Sequence, residues 1–160
     1  MNATFSPVRL SIARKRRLLN KKTFADLVGV SAHTATRWEN GGTPPLEENV
    51  EKFAEVLGFP TQFFYRPDIE VPDPSLVSFR SQRAMSALER DAALTAGAIG
   101  FEISDWVESR FDMPDIRVPD LNLYDPETAA VLLRQDWGLG EEPVSNMVHL
   151  LESKGARVFS

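Results

Sequence analysis

Residues 20–42, reading NKKTFADLVGVSAHTATRWENGG, hold the tightest local constraint in the chain. Asn20 is a good side-chain N-cap for a first short helix over residues 21–28. Gly29 follows it and supplies the left-handed backbone that a tight helix–helix turn needs. Val30 plugs that turn into a core, and Ser31 caps a second helix over residues 32–39, which Asn40-Gly41 ends. Ala25 is small where the two helices must approach closely. Phe24, Val28, Val30, Phe53, Ala54, Leu57 and Phe59 are expected core, and Trp38 is read as core rather than as a stacking platform.

Prolines and helix signals divide the remainder. Residues 8–65 read as short helices in quick succession, and residues 66–75 (RPDIEVPDPS) are extended, acidic and proline-spaced. A linker is therefore assigned to 66–83, between a domain at 6–65 and a C-terminal helical domain at 84–160. The longest helix is expected over 87–111, opened by Ser86 and Glu89 in the S-x-x-E capping box. Its apolar residues recur at helical spacing, and Gly97 and Gly100 invite close packing of another backbone. Asp125-Pro126 starts a helix that runs to Trp137-Gly138. Another covers 144–153 and stops at Gly155, and Arg157-Val158-Phe159 is read as the opening of a strand.

Composition removes several classes. There are no cysteines, so disulfides and thiolate metal sites are excluded, and His33 and His149 alone build no zinc site. Neither a metal nor a cofactor is expected. No apolar run approaches the roughly 20 residues needed to cross a bilayer, and no signal peptide opens the chain, so a cytoplasmic protein without a membrane partner is expected. The net charge of -5 hides an asymmetry. Residues 1–45 hold eight Lys/Arg against Asp26 and Glu39, whereas residues 46–160 hold ten against 21 acidic residues. A basic head on an acidic body suits a chain that meets a polyanion at one end, although a solvated basic face accounts for the charge equally well.

The two capped helices follow the helix-turn-helix plan, in which the second helix enters the major groove of DNA. The pattern F-A-D-L-V-G-V-S-x-x-T-x-x-R-W-E-N-G, followed by proline and then E-V-L-G-F, resembles the Cro/C1-type (XRE-family) helix-turn-helix domain of phage and bacterial repressors. The resemblance covers about residues 6–65 and implies five helices, about 8–19, 21–28, 32–39, 46–57 and 60–64. Fold class is accordingly mainly α: an N-terminal five-helix, lambda-repressor-like DNA-binding domain and a smaller C-terminal helical domain. Two departures stand out. Ala35 sits where the family usually carries Ile or Val, and Pro45 where a capping Ser is common.

The resemblance also implies roles. Ser31, Ala32, His33, Thr34, Thr36 and Arg37 match the DNA-facing part of the recognition helix. Arg37 is the first choice for base readout, since a guanidinium bonds guanine O6 and N7 together; pairing with a surface carboxylate is the alternative. His33 is matched to a base or phosphate contact, against a plain solvated residue, and the Thr34 and Thr36 methyls to thymine methyls. Lys21 and Lys22 stand at the start of the preceding helix for phosphate contacts, and Asn40 and Thr43 match further backbone contacts. Arg14 and Glu39 match a structural salt bridge of similar repressors and stay outside the DNA set.

Residues 76–160 carry a weaker resemblance. Val77-Ser78-Phe79-Arg80, Asp105-Trp106 and the run from Asn146 to Phe159 resemble the region joining an XRE domain to an ImmA/IrrE-type zinc peptidase, whose H-E-x-x-H helix is absent here. No catalytic set and no phosphate loop is visible, so the chain is not read as an enzyme. The resemblance implies a repressor of phage-immunity type acting on a double-stranded operator, with residues 84–154 as a candidate homodimer interface. A host stress or toxin–antitoxin regulator of the same fold, or a protein-interaction module that keeps the shape, are the alternatives.

Overall fold

A computed structural model describes residues 4–77 and 85–159. All regular structure among them is helical. The helices are α1 (Pro7–Arg16), α2 (Lys21–Val28), α3 (Ala32–Glu39), α4 (Glu47–Leu57), α5 (Ala87–Glu108), α6 (Pro126–Asp136) and α7 (Met147–Ser153), with 3₁₀ turns at Thr61–Tyr65 and Pro74–Leu76. The chain forms two compact units, Met1–Ile103 and Ser104–Ser160. No helix among the described residues is long and apolar enough to cross a membrane.

In the first unit the caps set the helix starts. Ser6 accepts from the Arg9 N–H ahead of Pro7, whose fixed φ suits the first helical position. Asn20 accepts from Thr23 N–H (2.8 Å) and Ser31 from Thr34 N–H (3.0 Å). The helix expected over 8–19 ends earlier, at Arg16, because Leu18 turns left-handed at φ 58°. A leucine held there costs about 1–2 kcal/mol. The fifth helix is a single 3₁₀ turn at Thr61–Tyr65.

Phe53 is the centre of the core. Its ring lies 4.9 Å from that of Phe64, 5.9 Å from Trp38, 6.1 Å from Phe5 and 6.2 Å from Phe24. Phe24, Val28, Trp38, Ala54 and Leu57 are buried with it, while Val30 and Phe59 pack on its margin only partly covered. Ala35 is completely buried, so its small side chain lets α3 sit close to its neighbours.

α4 starts without a side-chain cap, since Leu46 stands at its N-cap position and is exposed. Leu46→Ser should therefore stabilise this unit by about 0.5–2 kcal/mol, as a hydroxyl would meet a free N–H of the first turn. The gain would appear as a higher urea midpoint with unchanged slope. A midpoint at or below the parent's would refute the assignment of Leu46 as the cap.

The first unit continues well past residue 65. The Arg9 Nε donates to Pro67 O (2.6 Å), Ser6 Oγ to Asp68 (2.5 Å), and Ile69 packs on the core. The segment read as a linker is thus fastened to α1 over its first residues. A Cβ on Gly97 of α5 would meet the Pro72 side chain at ordinary contact distance, so a proline side chain, not a backbone, is what faces that glycine. Ala92, Leu94, Thr95 and Ala98 of α5 are buried, and Glu102 takes both Arg9 and Arg66. The Ser86 backbone N–H and hydroxyl both donate to Glu89, and these bonds hold its carboxyl below the ordinary range. The remainder of the run Val77-Ser78-Phe79-Arg80 beyond Val77, and the start of the domain expected from residue 84, lie outside the described residues.

In the second unit Asp125 caps α6 by accepting from Thr128 N–H (3.0 Å), and Asn146 caps α7, which begins later than residue 144. α5 likewise stops at Glu108, short of the expected 111. Gly155 (φ 84°) closes α7 where any Cβ would fall 2.2 Å from Asp115 O. The strand expected at Arg157-Val158-Phe159 does not form among the described residues. One backbone bond, Arg117 N–H to Lys154 O (2.8 Å), runs beside this segment, and a ladder needs a succession of them. No hydrophobic side chain is fully buried among the described residues of 104–160.

Candidate nucleic-acid interface

The turn between α2 and α3 is built by Gly29 (φ 78°), whose N–H donates to Ala25 O (2.9 Å), and Val30 N–H returns to the same carbonyl (2.9 Å). This closure satisfies the last carbonyls of α2 and redirects the chain into α3 within three residues. Ala35 and Trp38, three apart, turn inward. The opposite side of α3 faces outward: Ser31, Ala32, His33 and Arg37 are exposed, and Thr34 and Thr36 are half-buried. Asn40 and Thr43 are exposed just beyond the helix, Lys22 is exposed on α2, and Lys21 is half-buried.

The residues named from sequence are therefore exposed or half-buried on α2, on α3 and just beyond it, and several have partners the sequence did not disclose. Lys21 Nζ stands 3.6 Å from Glu39 Oε2. Arg37 Nη2 donates to Thr43 Oγ1. Ser31 Oγ lies 2.9 Å from Thr34 Oγ1 besides capping α3, so its hydroxyl serves the helix first.

Most of the basic head is committed to structure. Arg14 forms a two-point pair with Glu39 and donates to Leu19 O, all with little exposure. Arg9 is paired two-point with Glu102, and Lys15 with Asp91 at 3.2 Å. Arg17 donates to Leu57 O and Gly58 O at the end of α4, supporting the negative end of that helix, and lies over the Phe59 ring. Among the described residues of this head, Arg16, Arg17, Lys22 and Arg37 meet no carboxylate within ion-pair distance, and Arg17 is taken up by backbone carbonyls. Charge counting from sequence thus overstates the number of cations free of a protein partner, while Lys22 and Arg37 stay exposed without a carboxylate beside them among the described residues. Among the described residues, no group of three or more His, Cys, Asp or Glu is placed to hold a metal ion.

A protein-family model described as helix-turn-helix matches residues 10–64, the segment that spans α1 to the 3₁₀ turn. Residues 10–64 are a helix-turn-helix domain of the XRE type, the class of DNA-binding domain that transcription regulators carry. The match ends at Phe64 and does not reach the C-terminal part. No curated protein and no solved structure matches the chain.

Proposed function

We propose that this chain is a sequence-specific repressor of phage-immunity type, reading the major groove of a double-stranded operator with α3 and silencing a promoter by occupying it. The observation that carries this reading is Arg37: exposed on the outer side of α3, without a carboxylate partner among the described residues, in a domain whose other arginines are mostly tied into the fold. His33, Thr34 and Thr36 offer further base contacts on the same side, and Lys22 and Asn40 offer phosphate contacts around it. A bidentate arginine–guanine contact contributes about 1–3 kcal/mol of discrimination.

Genome-fragment pull-down with sequencing tests this, on the parent protein beside Arg37→Ala. One sharp motif should be enriched by the parent, and the preference at one guanine position should collapse in the variant. Enrichment of nothing by either protein at low salt would overturn the reading.

A homodimer through residues 84–154 belongs to the same proposal. It is supported by Phe101, Ile103 and Trp106, all about half exposed along α5, and by the lack of a fully buried hydrophobic side chain among the described residues of 104–160. A dimer implies an inverted repeat with half-sites about one helical turn apart. An asymmetric motif, with a monomer in sedimentation at micromolar concentration, would remove the dimer and leave the repressor.

A further inference from the structure

Thr43 stands beside the side chain that the proposed readout depends on, and the loop around it is fixed from three directions. Gly41 (φ 72°) folds the chain back at the end of α3, and a Cβ there would already touch Pro7 of α1 at 3.6 Å. Gly42 N–H donates to Arg37 O (2.9 Å), tying the returning loop to the same residue's main chain. Arg37 Nη2 then donates to Thr43 Oγ1, tying its side chain as well. Arg37 is thus held through both its main chain and its side chain, although its guanidinium is exposed.

An exposed arginine loses much rotamer freedom when it docks on a base edge, and a side chain already held loses less. The donor count permits both contacts together. A guanidinium carries five N–H groups, and Thr43 occupies one of them at Nη2. The other Nη2 hydrogen and the Nη1 pair remain to face guanine O6 and N7 side by side. The threonine hydroxyl accepts from arginine through a lone pair, so the contact takes up one arginine N–H and leaves the threonine hydrogen free.

We propose that Thr43 is a positioning residue for sequence readout: it holds the Arg37 guanidinium in the orientation that reads guanine, rather than serving mainly as a phosphate contact. This rests on the reading of α3 as the recognition helix, and the experiment separates the two. Binding of Thr43→Ala, Thr43→Val, Thr43→Ser and Arg37→Ala is measured on three duplexes: the enriched motif, the motif with the Arg37-dependent guanine replaced, and unrelated DNA.

Thr43→Ala and Thr43→Val should lower the preference for the guanine by about 3- to 10-fold. Affinity for unrelated DNA, its salt dependence and the thermal midpoint should stay unchanged. Thr43→Ser, which keeps the hydroxyl, should keep the preference. Equal weakening on all three duplexes would make Thr43 a phosphate contact and overturn the proposal. Full preference in Thr43→Ala alongside its loss in Arg37→Ala would also overturn it, leaving the recognition-helix reading in place. Full preference in Arg37→Ala, or no enriched motif at all, would remove that reading and this inference with it.

Discussion

Glu39→Ala should lower the stability of the N-terminal unit by about 3–5 kcal/mol, the loss characteristic of removing one member of a buried ion pair. The Glu39 side chain is 4% exposed and that of Arg14 6%, so neither is well served by water. Both carboxylate oxygens are used, Oε1 and Oε2 toward Arg14, and Oε2 also toward Lys21. Alanine leaves the Arg14 guanidinium buried with Leu19 O as its remaining partner. Natural domains hold about 5–15 kcal/mol in total, so this one change takes a large share.

Lys21 adds little to that figure, because it is 42% exposed and 3.6 Å away, which is the regime where an ion pair contributes about 0–1 kcal/mol. Urea denaturation of Glu39→Ala, Lys21→Ala and the double change Arg14→Leu with Glu39→Leu checks the argument. Lys21→Ala should cost under about 1 kcal/mol. The double change should recover much of the single loss, since no charge is then stranded. A Glu39→Ala loss as small as that of Lys21→Ala would show that the pair is not the buried fastening of α1 to α3.

The parts of this fold legible in the sequence are those whose physics is local. Asn20, Ser31, Ser86 with Glu89, and Asp125 with Pro126 each cap the helix they announce, because a cap satisfies N–H groups two or three residues away. Gly29 and Gly155 take the left-handed backbone expected of them for the same reason. The Arg14–Glu39 pair was reached only through the family resemblance, since nothing local joins positions 25 apart. The Arg9–Glu102 pair was not reached at all. Its partners are 93 residues apart, and the intervening prolines read as a boundary when in fact residues 67–69 lie fastened to α1 and the core. The same limit applies to the site. Outward positions of α3 follow from its period, but that Arg17 caps α4 and Lys21 joins Glu39 depends on how separate helices meet. The strand at residues 157–159 failed for the complementary reason: β-forming residues supply propensity, and only a partner supplies a ladder.

Phe53→Ala should cost about 3–5 kcal/mol, the usual price of emptying a buried aromatic site. The ring is fully buried and is touched by aromatic neighbours from the N-terminal segment, α2, α3 and the 3₁₀ turn. Because the ring is shared among several separate elements, filling its volume would require more than one of them to shift, which keeps the cavity costly. For a unit of this size each kcal/mol lowers the midpoint by roughly 4–8 °C, so a fall of more than about 10 °C is expected. The consequence for DNA binding differs from that of Arg37→Ala. Trp38 is the inner anchor of α3 and rests on Phe53, whereas Arg37 and His33 project from the other side. Below its midpoint, Phe53→Ala should bind with the parent's base preference, and its apparent affinity should fall only by the fraction of molecules folded. Melting curves and motif competition at two temperatures measure both quantities. A lost base preference in fully folded Phe53→Ala would mean that the core sets the orientation of α3 as well as its stability, and that the inner and outer faces of α3 do not act separately.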